Sequence, residues 1–192
     1  MFNNNLTRIG GIAGIVSAIL MLALTAVMGS DTSSPFLTVY FLVGGVLGLA
    51  LTGGLFVYFR EEGTVAVVAA AASAIGYLFF IIAGLLSLSF ENPIIALGDA
   101  LVYIVGVPLF SWLAYRTGKM SRILAIIGFV AGAAGLTNYT VTIITGADWT
   151  NPNDPMAGVL SAIYMVYLIA VLIWLLWTGY SLVSAKTEPA LA

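Results

Sequence analysis

The sequence contains no cysteine and no histidine. Without cysteine there are no disulfides, no thiol redox chemistry and no thiolate-held iron–sulfur cluster. Without histidine, haem and most zinc or copper sites lose their usual ligand, and the commonest general base is gone. Any metal would need oxygen ligands alone, and no cofactor is expected. Charge is almost as scarce. Only 7% of residues are charged, against 61% apolar, whereas a soluble domain is about a quarter charged. The net charge of −2, with no basic patch beyond Arg116–Arg122, gives no reason to expect a nucleic-acid partner. There is no glycine-rich phosphate loop, no nucleophile beside a base and no pair of acids inside an apolar run. The chain is therefore expected to be non-enzymatic.

What the chain does have is six long apolar runs, at about 8–29, 36–59, 64–88, 93–115, 123–146 and 156–180. The mean hydropathy is +1.12. A membrane-spanning helix needs about 20 such residues, so six spans consume most of the 192 residues and leave no soluble domain. The expectation is one all-α polytopic domain. The first run is longer than the apolar core of a signal peptide, about 7–15 residues, and no clear Ala-x-Ala site follows it. It is read as a retained span.

Three of the connections hold no Lys or Arg. The basic residues are Arg8, Arg60, Arg116, Lys119, Arg122 and Lys186. All fall before run one, between runs two and three, between runs four and five, or after run six. Short basic loops stay cytoplasmic during insertion, which predicts both termini inside a prokaryotic cytoplasmic membrane. The other connections, Ser30–Pro35, Ser89–Asn92 and Ala147–Pro155, then face outward with Asp31, Glu91, Asp148 and Asp154. Aromatic residues near both ends of the runs read as interfacial belts: Phe36, Tyr40, Phe90 and Trp149 outside, and Tyr58, Phe59, Trp112, Tyr115, Trp174, Trp177 and Tyr180 inside.

Small residues recur every fourth position: Gly10, Gly14 and Ala18; Gly44, Gly48 and Thr52; Gly128 and Gly132. Such ridges let helices approach closely where apolar burial gains little. They serve packing within the chain or, alternatively, an oligomer or a membrane-protein partner. Runs two and five also share Gly-x-Val-x-Gly-x-Ala, at Gly44–Ala50 and Gly128–Ala134. In a chain this rich in glycine and alanine, chance accounts for that match as well as an inverted repeat does.

One acid lies within a run. Asp99 is six residues on from Pro93, about 9 Å below the outer end. A charge there costs a few kcal/mol unless it is paired or wet, and no Lys or Arg lies deep enough to pair with it. It is therefore protonated, hydrated from outside, or hydrogen-bonded to neutral groups. Tyr103, at i+4, is expected on the same helix face. Run five offers Thr137, Asn138, Tyr139, Thr140 and Thr142, with Asn138 and Thr142 on one face. Run six offers Ser161 and Tyr164, with Tyr167 a turn further down. Asp99, Tyr103, Asn138, Thr142, Ser161 and Tyr164 are thus the candidate ligand-binding residues. The alternative is a structural polar cluster, because Thr and Ser often bond their own helix. Pro108 has no N–H to give the Ile104 carbonyl and should kink its helix.

The opening Thr7–Gly14, the stretch Ser121–Gly132 and the close Ile173–Tyr180 resemble small polytopic proteins of bacteria and archaea whose domains have no assigned function. That likeness implies a fold but no activity. The small-residue first run (Gly10, Gly14, Ala18) and the outer polar cluster are also similar to the substrate-binding subunits of energy-coupling-factor vitamin transporters. This second resemblance implies an outward pocket and a solute to carry. The expected role is thus binding a small molecule or lipid, or packing within the bilayer. The alternatives are a transport component or an accessory subunit of a larger complex.

Overall fold

The computed structural model describes residues 2–28, 35–89, 92–146 and 153–185. Asp31, Phe90, Glu91, Asp148, Trp149 and Lys186 lie outside them. Among the described residues there are no strands. Six helices are long and apolar enough to cross a membrane: α1 (Phe2–Met28), α2 (Pro35–Phe59), α3 (Thr64–Leu85), α4 (Pro93–Thr117), α5 (Arg122–Thr145) and α6 (Ala157–Ser184). The shortest, at 22 residues, spans about 33 Å at 1.5 Å per residue, enough for a hydrocarbon core of about 30 Å. The architecture is an all-α, six-span membrane bundle.

The helices are apolar on every side, so hydrophobicity does not tell inside from outside. The outer faces carry Ile12, 56% exposed, and Val46, 59% exposed, a surface suited to lipid rather than water. The interior is marked instead by small, aromatic and hydroxyl-bearing residues. Each helix packs on the next, and α1 also packs on α6, so the six close into a ring in chain order. Glycines set the closest approaches. A Cβ built on Gly10 would lie 2.7 Å from the Cα of Gly54, joining α1 to α2. One on Gly11 would lie 2.7 Å from the Gly179 carbonyl oxygen, joining α1 to α6.

The ends follow local chemistry. Asn92 caps α4, its Oδ1 accepting the Ile94 N–H at 3.0 Å, with Pro93 in the first turn. Ser121 caps α5 through the Ile123 N–H. Gly118 and Gly146 close α4 and α5 at φ +66° and +64°. Helix α3 stops three residues short of the expected Leu88. Ser87 takes a left-handed turn at φ 49°, and the Leu88 N–H folds back on the Ala83 carbonyl, a Schellman closure.

At the basic end the two short connections touch. The Tyr58 hydroxyl donates to the Lys119 carbonyl at 2.8 Å, and Lys119 Nζ lies 3.3 Å from Glu61 and 3.9 Å from Glu62. The two acids therefore face a cation across the loops. The belt reading needs correction at that end. Trp112, Tyr115 and Tyr180 are exposed, but Phe59 is fully buried and Trp174 is 4% exposed. Trp174 turns inward because its indole N–H donates to Ser111 Oγ at 3.0 Å. Gly128 leaves the space for that contact, since a Cβ there would meet both residues.

Candidate functional site

Helix α4 is not one regular helix. Its first part, Pro93–Asp99, and its last, Val107–Thr117, are α-helical; Ala100–Gly106 between them is a π-helix. The Val107 N–H bonds to the Val102 carbonyl, five residues back rather than four. Pro108 sits at the start of the last part. The wider turns above it accommodate the missing donor that sequence reading expected to produce a simple kink. Asp99 faces α5 and α6, where its Oδ2 accepts hydrogen bonds from the Tyr139 hydroxyl at 3.0 Å and the Tyr167 hydroxyl at 3.2 Å. Tyr103 lines a small cavity together with Tyr77 of α3.

Height and lateral position of this segment are fixed by a glycine crossing. A Cβ on Gly76 of α3 would lie 2.6 Å from the Gly98 carbonyl oxygen, and one on Gly98 would lie 2.9 Å from the Gly76 carbonyl oxygen. Asp99 is the next residue along.

Two tyrosines bond the carboxylate directly, Tyr139 from α5 and Tyr167 from α6; Tyr103 of α4 and Tyr164 of α6 pack on Tyr167, and Tyr40 of α2 and Tyr77 of α3 line a small cavity together with Tyr103. The rings brace one another. Tyr103 meets Tyr167 edge to face at 5.9 Å, and Tyr164 lies 5.9 Å from Tyr167. Tyr77, Tyr103 and Tyr167 are buried, whereas Asp99, Tyr40, Tyr139 and Tyr164 are half-buried. Beside the cluster, at the centre of the ring, Ser17, Tyr40, Gly44, Tyr77, Phe80 and Tyr103 line a cavity of about 20 Å³, room for about one water. The Ser17 hydroxyl is buried there with no hydrogen-bond partner in the protein.

The residues singled out from sequence fall into two groups. Asp99, Tyr103 and Tyr164 lie in the cluster. Asn138 instead donates from Nδ2 to the Leu160 carbonyl at 3.1 Å, tying α5 to α6. Thr142 is half-buried near the end of α5, where its carbonyl accepts the Gly146 N–H. Ser161 is half-buried on α6. Tyr139 and Tyr167, the two direct partners of Asp99, were legible as polar residues of runs five and six but not as its donors. Tyr40 reads as a belt residue and Tyr77 has no sequence signal at all. Of the small-residue ridges, Gly10, Gly48, Gly128 and Gly132 each face an atom that a Cβ would overlap: the Gly54 backbone, the Tyr77 ring, Ser111 with Trp174, and Pro108. Gly14 is looser, its Cβ 3.2 Å from Leu51 Cδ1, and Gly44 looser still, with 3.7 Å to Leu20.

Among the described residues no group of three or more acids, histidines or cysteines is placed to hold a metal. What the arrangement offers is one carboxylate, tyrosine hydroxyls and aromatic rings, a set suited to binding. Comparison with protein-family models, with curated proteins and with solved structures gives no match to this chain.

Proposed function

We propose that this chain is a non-enzymatic multi-pass protein of a prokaryotic cytoplasmic membrane, with both termini inside, that binds a small solute at the outward-facing cluster around Asp99. The orientation rests on the placement of every Lys and Arg in connections of one parity. The binding role rests on one observation above the rest. A carboxylate within a span is held by hydroxyls from two other helices, and among the described residues no Lys or Arg forms an ion pair with it. An intramembrane acid is costly, and in a purely structural role a neutral Asn would make the same contacts at less cost.

A transport component is the second reading. It is favoured by the π-helical turns and Pro108 in the helix that carries Asp99, since such irregular segments often accompany functional sites and hinges. Native mass spectrometry of the full chain, purified in mild detergent, tests the binding role. The expected result is a bound small molecule on the wild type that is absent from Asp99→Asn. A protein that carries only lipid, in equal amount in both forms, would overturn it. Co-purification of an ATPase pair would favour the transport component.

A further inference from the structure

Resting on the binding reading above, we infer that the solute of the Asp99 site is a small protonated amine, recognised by its ammonium group. The charge of the site selects the sign of the ligand. The five described Lys and Arg residues all lie within about two turns of the basic ends of the helices, whereas Asp99 sits near the opposite end. An anion would meet an unscreened carboxylate, and a neutral ligand would leave that carboxylate without a counter-charge in a medium where this is expensive. A cation resolves both.

The geometry selects the kind of cation. Tyr139 and Tyr167 both donate to Oδ2 of Asp99, and no described residue donates to Oδ1. One carboxylate oxygen is therefore held by two donors while the other has none among the described residues. Tyr139 and Tyr167 bring their rings to the acid, Tyr103 and Tyr164 pack on Tyr167, and ring faces attract ammonium groups most strongly where water is excluded. A bare metal ion would want several oxygen ligands, yet two of the hydroxyls already direct their protons at Asp99. An ammonium group brings its own N–H donors to the other oxygen and is no larger than a water molecule.

The test is equilibrium dialysis of radiolabelled methylammonium against the detergent-solubilised full chain, with sodium chloride and a neutral amide as competitors. Saturable binding is expected. It should weaken about tenfold or more in Asp99→Asn, as for one lost charge-assisted hydrogen bond, and persist in Asp99→Glu, which keeps the charge. Tyr164→Phe, which keeps the ring, should bind within about threefold of wild type, and Tyr164→Leu more weakly than that. Equal binding in wild type and Asp99→Asn would overturn the inference. Asp99-dependent binding of sodium or of the neutral amide, without methylammonium, would also overturn it and leave the binding role standing. If none of the three binds and no co-purifying solute depends on Asp99, both fall.

Discussion

Replacing Gly76 with alanine probes the contact that positions the Asp99 helix. The added Cβ would lie 2.6 Å from the Gly98 carbonyl oxygen, 2.7 Å from Val102 Cγ2 and 3.2 Å from Leu101 Cβ. The nearest of these is backbone and cannot turn aside. Non-bonded heavy atoms settle at about 3.5–4.0 Å, so α3 and α4 would have to part by roughly 1 Å. Overpacking of this kind costs about 1–3 kcal/mol. Alanine returns about 0.5–1 kcal/mol relative to glycine inside a helix. The net expectation is a loss of about 1–2 kcal/mol, seen as a melting temperature lowered by a few degrees. The same parting would stretch the 3.0 and 3.2 Å bonds from Tyr139 and Tyr167 to Asp99. Gly53→Ala is the control: it makes the same chemical change in α2, where nothing lies within 4 Å of the new Cβ. It should be neutral or slightly stabilising. Thermal unfolding in detergent, followed by circular dichroism, measures both. A Gly76→Ala protein as stable as wild type, or a Gly53→Ala protein that loses as much, would refute the view that backbone contact at the α3–α4 crossing sets the spacing of the bundle.

Other expectations follow from single contacts. Gly48→Leu and Gly132→Leu should each lower the melting temperature, because their side chains would enter the space of the Tyr77 ring and of Pro108; unchanged melting in both would show that these faces are not packed. Ser111→Ala should cost about 1–3 kcal/mol by leaving the buried Trp174 N–H unpaired, whereas Thr178→Val should be neutral or stabilising, because the buried Thr178 hydroxyl has no partner in the protein; unfolding of the two side by side separates these outcomes. Reporter fusions at Ala147–Pro155 should score external and fusions at the C-terminus internal; either result reversed would overturn the orientation.

The helices were legible because a span is a bulk property. Length and apolarity suffice, and the starts of α3 and α4 and the end of α2 fell where the sequence placed them. The close of α3 was not, because its Schellman turn is carried by Ser87 rather than by the usual glycine. Neighbour relations were half legible. The ridges at Gly10, Gly14, Gly48, Gly128 and Gly132 could be read from spacing four, but partners such as Gly54, Gly179 and Tyr77 could not, since a ridge says that something approaches and not what. The site failed in the same instructive way. Asp99 announced itself as the one acid in a span. Its two donors were not singled out, because Tyr139 and Tyr167 stand among several polar residues of runs five and six and spacing along one helix cannot choose between residues of others; nor was the π-helical stretch of α4 legible. Proline at position 108 was the available signal for that irregularity. It pointed to a break but not to its form.

The central claim is that Asp99 is kept for binding and not for stability. The most direct measurement is the thermal unfolding of wild type and Asp99→Asn, each with and without the solute that the wild type retains on purification. Asn keeps an oxygen to accept from Tyr139 and Tyr167, so the ligand-free variant should melt within about 1 kcal/mol of wild type in stability and show no shift on adding the solute, while the wild type shifts upward. The contrary result would be an Asp99→Asn protein that shifts as far as wild type, accompanied by an Asp99→Leu protein that is markedly less stable without ligand. That pattern would make the cluster a structural network whose carboxylate has no ligand to hold.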